Sequence, residues 1–159
     1  MFSRLYGFLA SGRRKWYEAR PELQRRLRQP VISVGALAVG GSGKTPVAAE
    51  VASLLVSMGE SPAVLSRGYR RVDPLEGVVV VSNRGEVQAS LQQAGDEPFM
   101  LACRLRNVSV LVAEDRYLAG RLAETQLGTT VHVLDDGFQH LSLRRDVDFL
   151  VLGEVDVID

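Results

Sequence analysis

Short apolar runs alternating with helix-length stretches predict a doubly wound α/β domain: a parallel sheet with helices on both faces, preceded by an amphipathic N-terminal helix. Three observations carry this. Val31–Ala36, Val108–Ala113 and Val131–Asp135 are strand-length and apolar at most positions, as strands covered on both faces are. Helix-length stretches alternate with these runs, and Gly59 stops the first long one. The 159 residues are 46% hydrophobic and 24% charged, which gives one globular core and excludes a disordered or collagen-like chain.

In chain order, Val31–Ala36 is the first strand, followed by a glycine-rich loop and a helix over Lys44–Met58. Ala63–Ser66 and Val78–Val81 are further strands with a loop over Arg67–Pro74 between them, Glu97–Arg106 is helical, and Val108–Ala113 is a strand. Asp115–Thr125 is a helix, Val131–Asp135 a strand and Val147–Leu152 a last strand. No helix closes the series, so the sequence reads as the N-terminal portion of something longer. The expected organisation is a basic arm over residues 1–30 and a phosphate-binding lobe over 31–159.

The net charge of zero hides an asymmetry: residues 1–30 carry +6 and the remainder −6. A basic arm on an acidic body suits a phosphate-bearing partner, but an acidic body argues against a surface that tracks nucleic acid. Phe2, Leu5, Tyr6 and Leu9 fall on one helical face, and Arg13, Arg14, Lys15, Trp16 and Tyr17 follow. That pattern fits a helix lying on an anionic membrane surface, or equally one packed on the domain. No apolar run is long enough to span a bilayer. The single cysteine, Cys103, excludes a disulfide framework and fits a reducing compartment; its helical setting beside Leu101 and Ala102 predicts a core position.

The most specific motif is Ala38-Val39-Gly40-Gly41-Ser42-Gly43-Lys44-Thr45, between the first strand and the first helix. Glycines let successive N–H groups face a phosphate, and the helix start adds its positive end. Lys44 is placed to reach the outer phosphates of a nucleotide and the Thr45 hydroxyl to ligate Mg²⁺. The layout is that of a P-loop, with Ala38 where the usual pattern has its first glycine. Lys44 is one of two lysines in a chain with 17 arginines, which makes a chance placement there a poor explanation.

Asp135 and Asp136 close a strand, where such enzymes hold Mg²⁺ or its waters; Asp-Gly between apolar runs is also a hairpin signal, and spacing alone does not choose. Asp96 and Glu97 open a helix, where a carboxylate caps the first turn, with Pro98 as first helical residue, or accepts a proton from an attacking hydroxyl. Ser66-Arg67-Gly68-Tyr69 follows a strand, at the edge where α/β sheets gather ligands. It serves an anionic substrate or is a solvated basic loop. His132, inside a strand, reads as structural; His140 is a site or turn residue.

Taken together, Val31-Ile32-Ser33-Val34-Gly35, Gly40-Gly41-Ser42-Gly43-Lys44-Thr45-Pro46, Ser66-Arg67-Gly68-Tyr69, Gly95-Asp96-Glu97-Pro98, Leu134-Asp135-Asp136-Gly137-Phe138-Gln139-His140 and Arg144-Arg145-Asp146 closely resemble the tetraacyldisaccharide 4'-kinases of Gram-negative bacteria. The resemblance implies transfer of the ATP γ-phosphate to the 4'-hydroxyl of tetraacyldisaccharide 1-phosphate, giving lipid IVA at the cytoplasmic face of the inner membrane. It implies ATP on Ala38–Thr45, with Lys44 catalytic and Thr45, Glu97 and Asp135 around Mg²⁺. Asp96 becomes the catalytic carboxylate, assisted by Asp136, and Arg67, Gly68, Tyr69 and His140 take the lipid substrate. A monomer without nucleic acid is expected. The family usually has Asn and Thr where this chain has Ala36 and Ala38. Its members run to about twice this length, the second half holding another α/β lobe and a histidine partner for the catalytic aspartate. The alternative is a non-catalytic ATP- and membrane-binding module.

Overall fold

A computed structural model describes residues 20, 23–36, 43–68, 77–138 and 140–152. The helix expected near the N-terminus, loop positions Ala38 to Ser42 and Tyr69 lie outside these residues. The strands are β1 (Val31–Ala36), β2 (Pro62–Ser66), β3 (Val79–Asn83), β4 (Glu86–Val87), β5 (Ser109–Val112), β6 (Val131–Asp135) and β7 (Val147–Val151). The helices are α1 (Lys44–Ser57), α2 (Leu91–Ala94), α3 (Asp96–Arg104) and α4 (Arg116–Gln126).

One sheet runs in the order β4-β3-β5-β2-β6-β1-β7. Five strands, β5 to β7 in that order, are parallel. The expectation of an all-parallel sheet is corrected at one edge, where β3 lies antiparallel to β5 and β4 antiparallel to β3. β4 follows β3 across only two residues, Arg84 and Gly85, a connection that allows an antiparallel pair and not a parallel one. Between β3 and β4 the chain reverses through Arg84 (φ 50°) and Gly85 (φ 90°), the two positive φ values of a tight hairpin turn.

Both faces of the inner strands are covered, while the edge strands β4 and β7 are largely exposed. Val34, Val64, Val110 and Val133 point to Ala48, Ala49 and Ala52 of α1 and to Leu101 and Ala102 of α3. The alternate residues Val31, Ala63, Leu65, Leu111 and Leu134 pack on Ala119 and Ala123 of α4. Pro46 sits in the first turn of α1, where no intrahelical donor is needed. Cys103 corrects its expectation: it is on the exposed side of α3. Among the described residues no helix is long and apolar enough to cross a membrane.

Residues 23–30 pack on the domain. Leu27 is 3% exposed and belongs to the core on the α4 face. A Cβ on Gly120 would stand 2.3 Å from Leu27 Cδ1, so the glycine makes the room that Leu27 fills. Leu27→Ala should lower folding stability by about 2–5 kcal/mol in denaturant unfolding; an unchanged midpoint would contradict this docking.

Candidate active site

The parallel strands deliver the predicted residues to one edge, because β1, β2, β5 and β6 all end there. β1 leads into the glycine loop, β2 into Arg67, β5 into Asp115 and Arg116, and β6 into Asp135 and Asp136. α1 starts at Lys44 behind Gly43, whose φ of 74° suits a residue without a Cβ. Of the loop positions proposed for phosphate, Gly43, Lys44 and Thr45 are described.

Lys44 Nζ pairs with Asp136 Oδ1 at 2.9 Å. Thr45 Oγ1 donates to Asp135 across 3.4 and 3.5 Å to its two oxygens, a long and shared contact. Asp135 is 3% exposed, and burial pushes its carboxyl up to about 6, helped by the nearby charges of Glu97 and Asp136 and opposed by Thr45 and Lys44. The buried acid is therefore under-neutralised by its own neighbours, an environment that favours a bound cation.

The turn after β6 is not a hairpin: β6 lies between β1 and β2, and β7 follows in parallel on the far side of β1. Asp136 takes φ 55°, and Gly137 N–H donates to Val34 O at 3.0 Å, folding the turn back on β1. A Cβ on Gly137 would lie 2.5 Å from Leu134 Cβ, and one on Gly35 2.3 Å from Phe138 Cβ; the turn needs glycine at both places. Arg145 Nη1 donates to the carbonyls of Gly137 and Phe138 at 3.2 and 3.0 Å.

Asp96 and Glu97 are exposed in the first turn of α3, whose N-cap is Gly95, and no side chain caps this helix. Pro98 stands third in the helix, not first as the sequence suggested. Both carboxylates remain available, and the Glu97 charge reaches Asp135. Arg67 is exposed, while Gly68 is buried at φ 70°. His140 is half-buried and burial lowers it to about 4, with the Arg116 charge next in effect, so it is neutral at neutral pH. His132 is buried, its Nε2 3.3 Å from Glu124 Oε1, as a structural histidine would be.

Sequence reasoning missed Arg116. It opens α4, is 6% exposed, and feels the charges of Arg67, Asp136 and Asp135. The available signal was its place just beyond a parallel strand, where ligand-binding residues gather.

Fold and site define a doubly wound α/β domain with a Gly-Lys-Thr helix start and strand-end acids at one carboxyl edge. The chain belongs to the LpxK family, tetraacyldisaccharide-1-P 4'-kinase, whose model matches residues 1–158. It is 47% identical over 152 residues to the tetraacyldisaccharide 4'-kinase of Pelobacter propionicus, covering 95% of this chain and 42% of that protein. To the Aquifex aeolicus enzyme of the same name it is 43% identical over 158 residues, 99% of this chain and 49% of that protein. A crystal structure of LpxK from Aquifex aeolicus in complex with ATP superposes with a TM-score of 0.88, covering 98% of this chain and 48% of that one. The chain thus spans a little under half the length of these relatives.

Burial makes Asp135 hold its proton above the ordinary value of 3.8, to about 6. The folded state then binds more protons than the unfolded one across that interval, so ionisation costs stability as pH rises through it. Asp135→Asn should gain about 1–3 kcal/mol relative to wild type on going from pH 4 to pH 7.5 without ligands. Denaturant midpoints at both pH values check this; a pH-independent difference would contradict it.

Proposed function

We propose that this chain is the nucleotide-binding lobe of a tetraacyldisaccharide 4'-kinase, which phosphorylates the 4'-hydroxyl of tetraacyldisaccharide 1-phosphate. The observation that carries the reading is the convergence of Lys44 and Thr45 at the start of α1 with Asp135 and Asp136 at the end of β6. Family membership and the ATP complex of the Aquifex aeolicus relative support it.

The donor set fits Mg·ATP. A threonine hydroxyl beside a buried, under-neutralised carboxylate suits a hard divalent cation. Among the described residues no group of three acidic, histidine or cysteine side chains is assembled as a metal cage, and Mg²⁺ characteristically keeps waters and phosphate oxygens as ligands. Thr45, Asp135 and Glu97 would hold the ion or its waters, and the N–H groups from Ala38 to Lys44 would hold phosphates. Bound Mg·ATP supplies the phosphoryl group and the charge that neutralises it.

This chain's own residues then orient and discharge. Lys44 exchanges its contact with Asp136 for phosphate oxygens, a charge-assisted interaction. Asp96, exposed and not engaged in capping, would accept the proton of the acceptor hydroxyl as the hydroxyl oxygen attacks the γ-phosphorus, whose bond to the β–γ bridging oxygen breaks to release ADP. Arg67, Gly68, Tyr69 and neutral His140 would take the acceptor, and the basic arm over residues 1–30 would address the anionic cytoplasmic face of the inner membrane. We take the molecule to act there as a peripheral monomer.

The test is transfer of labelled γ-phosphate from Mg·ATP to tetraacyldisaccharide 1-phosphate in detergent micelles, together with direct ATP binding. Lys44→Ala should weaken Mg·ATP binding by about 10–100-fold, the worth of a hydrogen bond from a charged group. Unchanged affinity in that variant would overturn the phosphate-loop assignment. ATP binding without transfer would favour the second reading, a nucleotide- and membrane-binding module.

A further inference from the structure

Arg116 is buried in a way that hydrogen bonding within the fold does not explain. Its Nη1 donates to Glu114 O at 2.9 Å, while its Nε is buried without a partner. A guanidinium has five donors in a fixed fork, and leaving one unmet in the interior is costly. The charges that reach it belong to the site: Arg67 repels it, and Asp136, Asp115 and Asp135 attract it. Arg67 and Arg116 stand just beyond the ends of two neighbouring strands, β2 and β5. An anion between the two strand ends would accept from Nε and relieve the repulsion, and phosphate matches the guanidinium fork.

A second set of contacts holds Arg116 in place. The preceding residue, Asp115, caps α4 by accepting from Tyr117 N at 3.1 Å. Arg25 grips the same carboxylate with both terminal nitrogens, 2.8 and 2.6 Å, and lies 4.7 Å over the Tyr117 ring. Burial alone would raise Asp115, but the Arg25 bond and charge more than offset this and hold it below its usual value. The backbone of Arg25 is bound on both sides to the segment after His140: its N–H donates to Ser142 O at 2.9 Å and its carbonyl accepts from Arg144 N at 2.9 Å.

We propose that Arg116 is a buried phosphate ligand of this site, and that Arg25, through its two-pronged pair with Asp115, is the positioning residue that holds it. The inference rests on the nucleotide-lobe reading. The phosphate is either the terminal one of the nucleotide or the one carried by the acceptor.

Equilibrium binding to the full 159-residue chain separates these sources, with Mg·ATP against Mg·ADP as one pair of probes. Tetraacyldisaccharide 1-phosphate against its dephosphorylated form, in micelles, is the other. Arg116→Gln should weaken the phosphate-richer member of one pair by about tenfold or more and leave its partner within about twofold, since one charge-assisted contact is lost. Arg116→Lys should recover part of that loss. Arg25→Gln, which removes a partly exposed side chain and keeps the core intact, should weaken the same probe by a smaller factor. It carries the test should Arg116→Gln not fold. Selective loss in the nucleotide pair assigns the terminal phosphate, and in the lipid pair the acceptor's. Equal loss within both pairs, or none, overturns the inference while wild-type Mg·ATP binding keeps the nucleotide reading. A wild-type chain that does not bind Mg·ATP overturns both.

Discussion

The pair between Lys44 and Asp136, 2.9 Å long, joins the start of α1 to the end of β6, and the geometry of the carboxyl edge follows from it. Asp136 reaches Lys44 from a left-handed backbone at φ 55°, a conformation that carries a steric cost for a residue with a Cβ. The turn is held there by Gly137 N–H on Val34 O, by Arg145 on two carbonyls, and by the missing side chains of Gly35 and Gly137. Asp135, one residue earlier, is left facing Thr45 inside the protein. One acid of the pair is bound to lysine, and the other is made reluctant to ionise, chiefly by burial. A divalent cation bound near Thr45 would reverse that reluctance.

A second constraint comes from the other end of the chain's order. Residues 23–30 form no long element, yet they touch each component of the α4 face: Leu27 fills the space over Gly120, Gln29 N–H donates to Glu124, and Arg25 grips Asp115. Glu124 in turn lies against buried His132. Burial alone would raise Glu124, but the Gln29 and His132 contacts outweigh it and keep it low; burial keeps His132 low as well. Arg25, one of the basic residues of that segment, is thereby tied to the start of the helix that carries Arg116.

The parallel core was legible because strands covered on both faces are apolar throughout: β1 and β6 begin and end where the pattern changes. The antiparallel edge was not legible by that rule. β4 is two exposed residues long, and its turn uses Arg84 in place of the usual Asn or Asp before Gly85. The short helix α2 did leave a signal, the reciprocal cap between Ser90 and Gln93, which went unread because four residues carry no periodicity. At the site, Lys44, Thr45 and the two aspartates were legible because their spacing is tied to a strand–loop–helix unit. Arg116 was not, since a lone arginine at a helix start looks like a solvated one until its burial is known.

If a cation and phosphates complete the carboxyl edge, as proposed, Asp135 is their reporter. The most direct measurement is the titration of the Asp135 carboxyl carbon by NMR, in the free chain and with saturating Mg·ATP. The expected midpoint is near 6 in the free chain, falling by about one unit or more when cation and nucleotide bind. A midpoint that stays in place on saturation, or one already at the ordinary carboxylate value in the free chain, would contradict it.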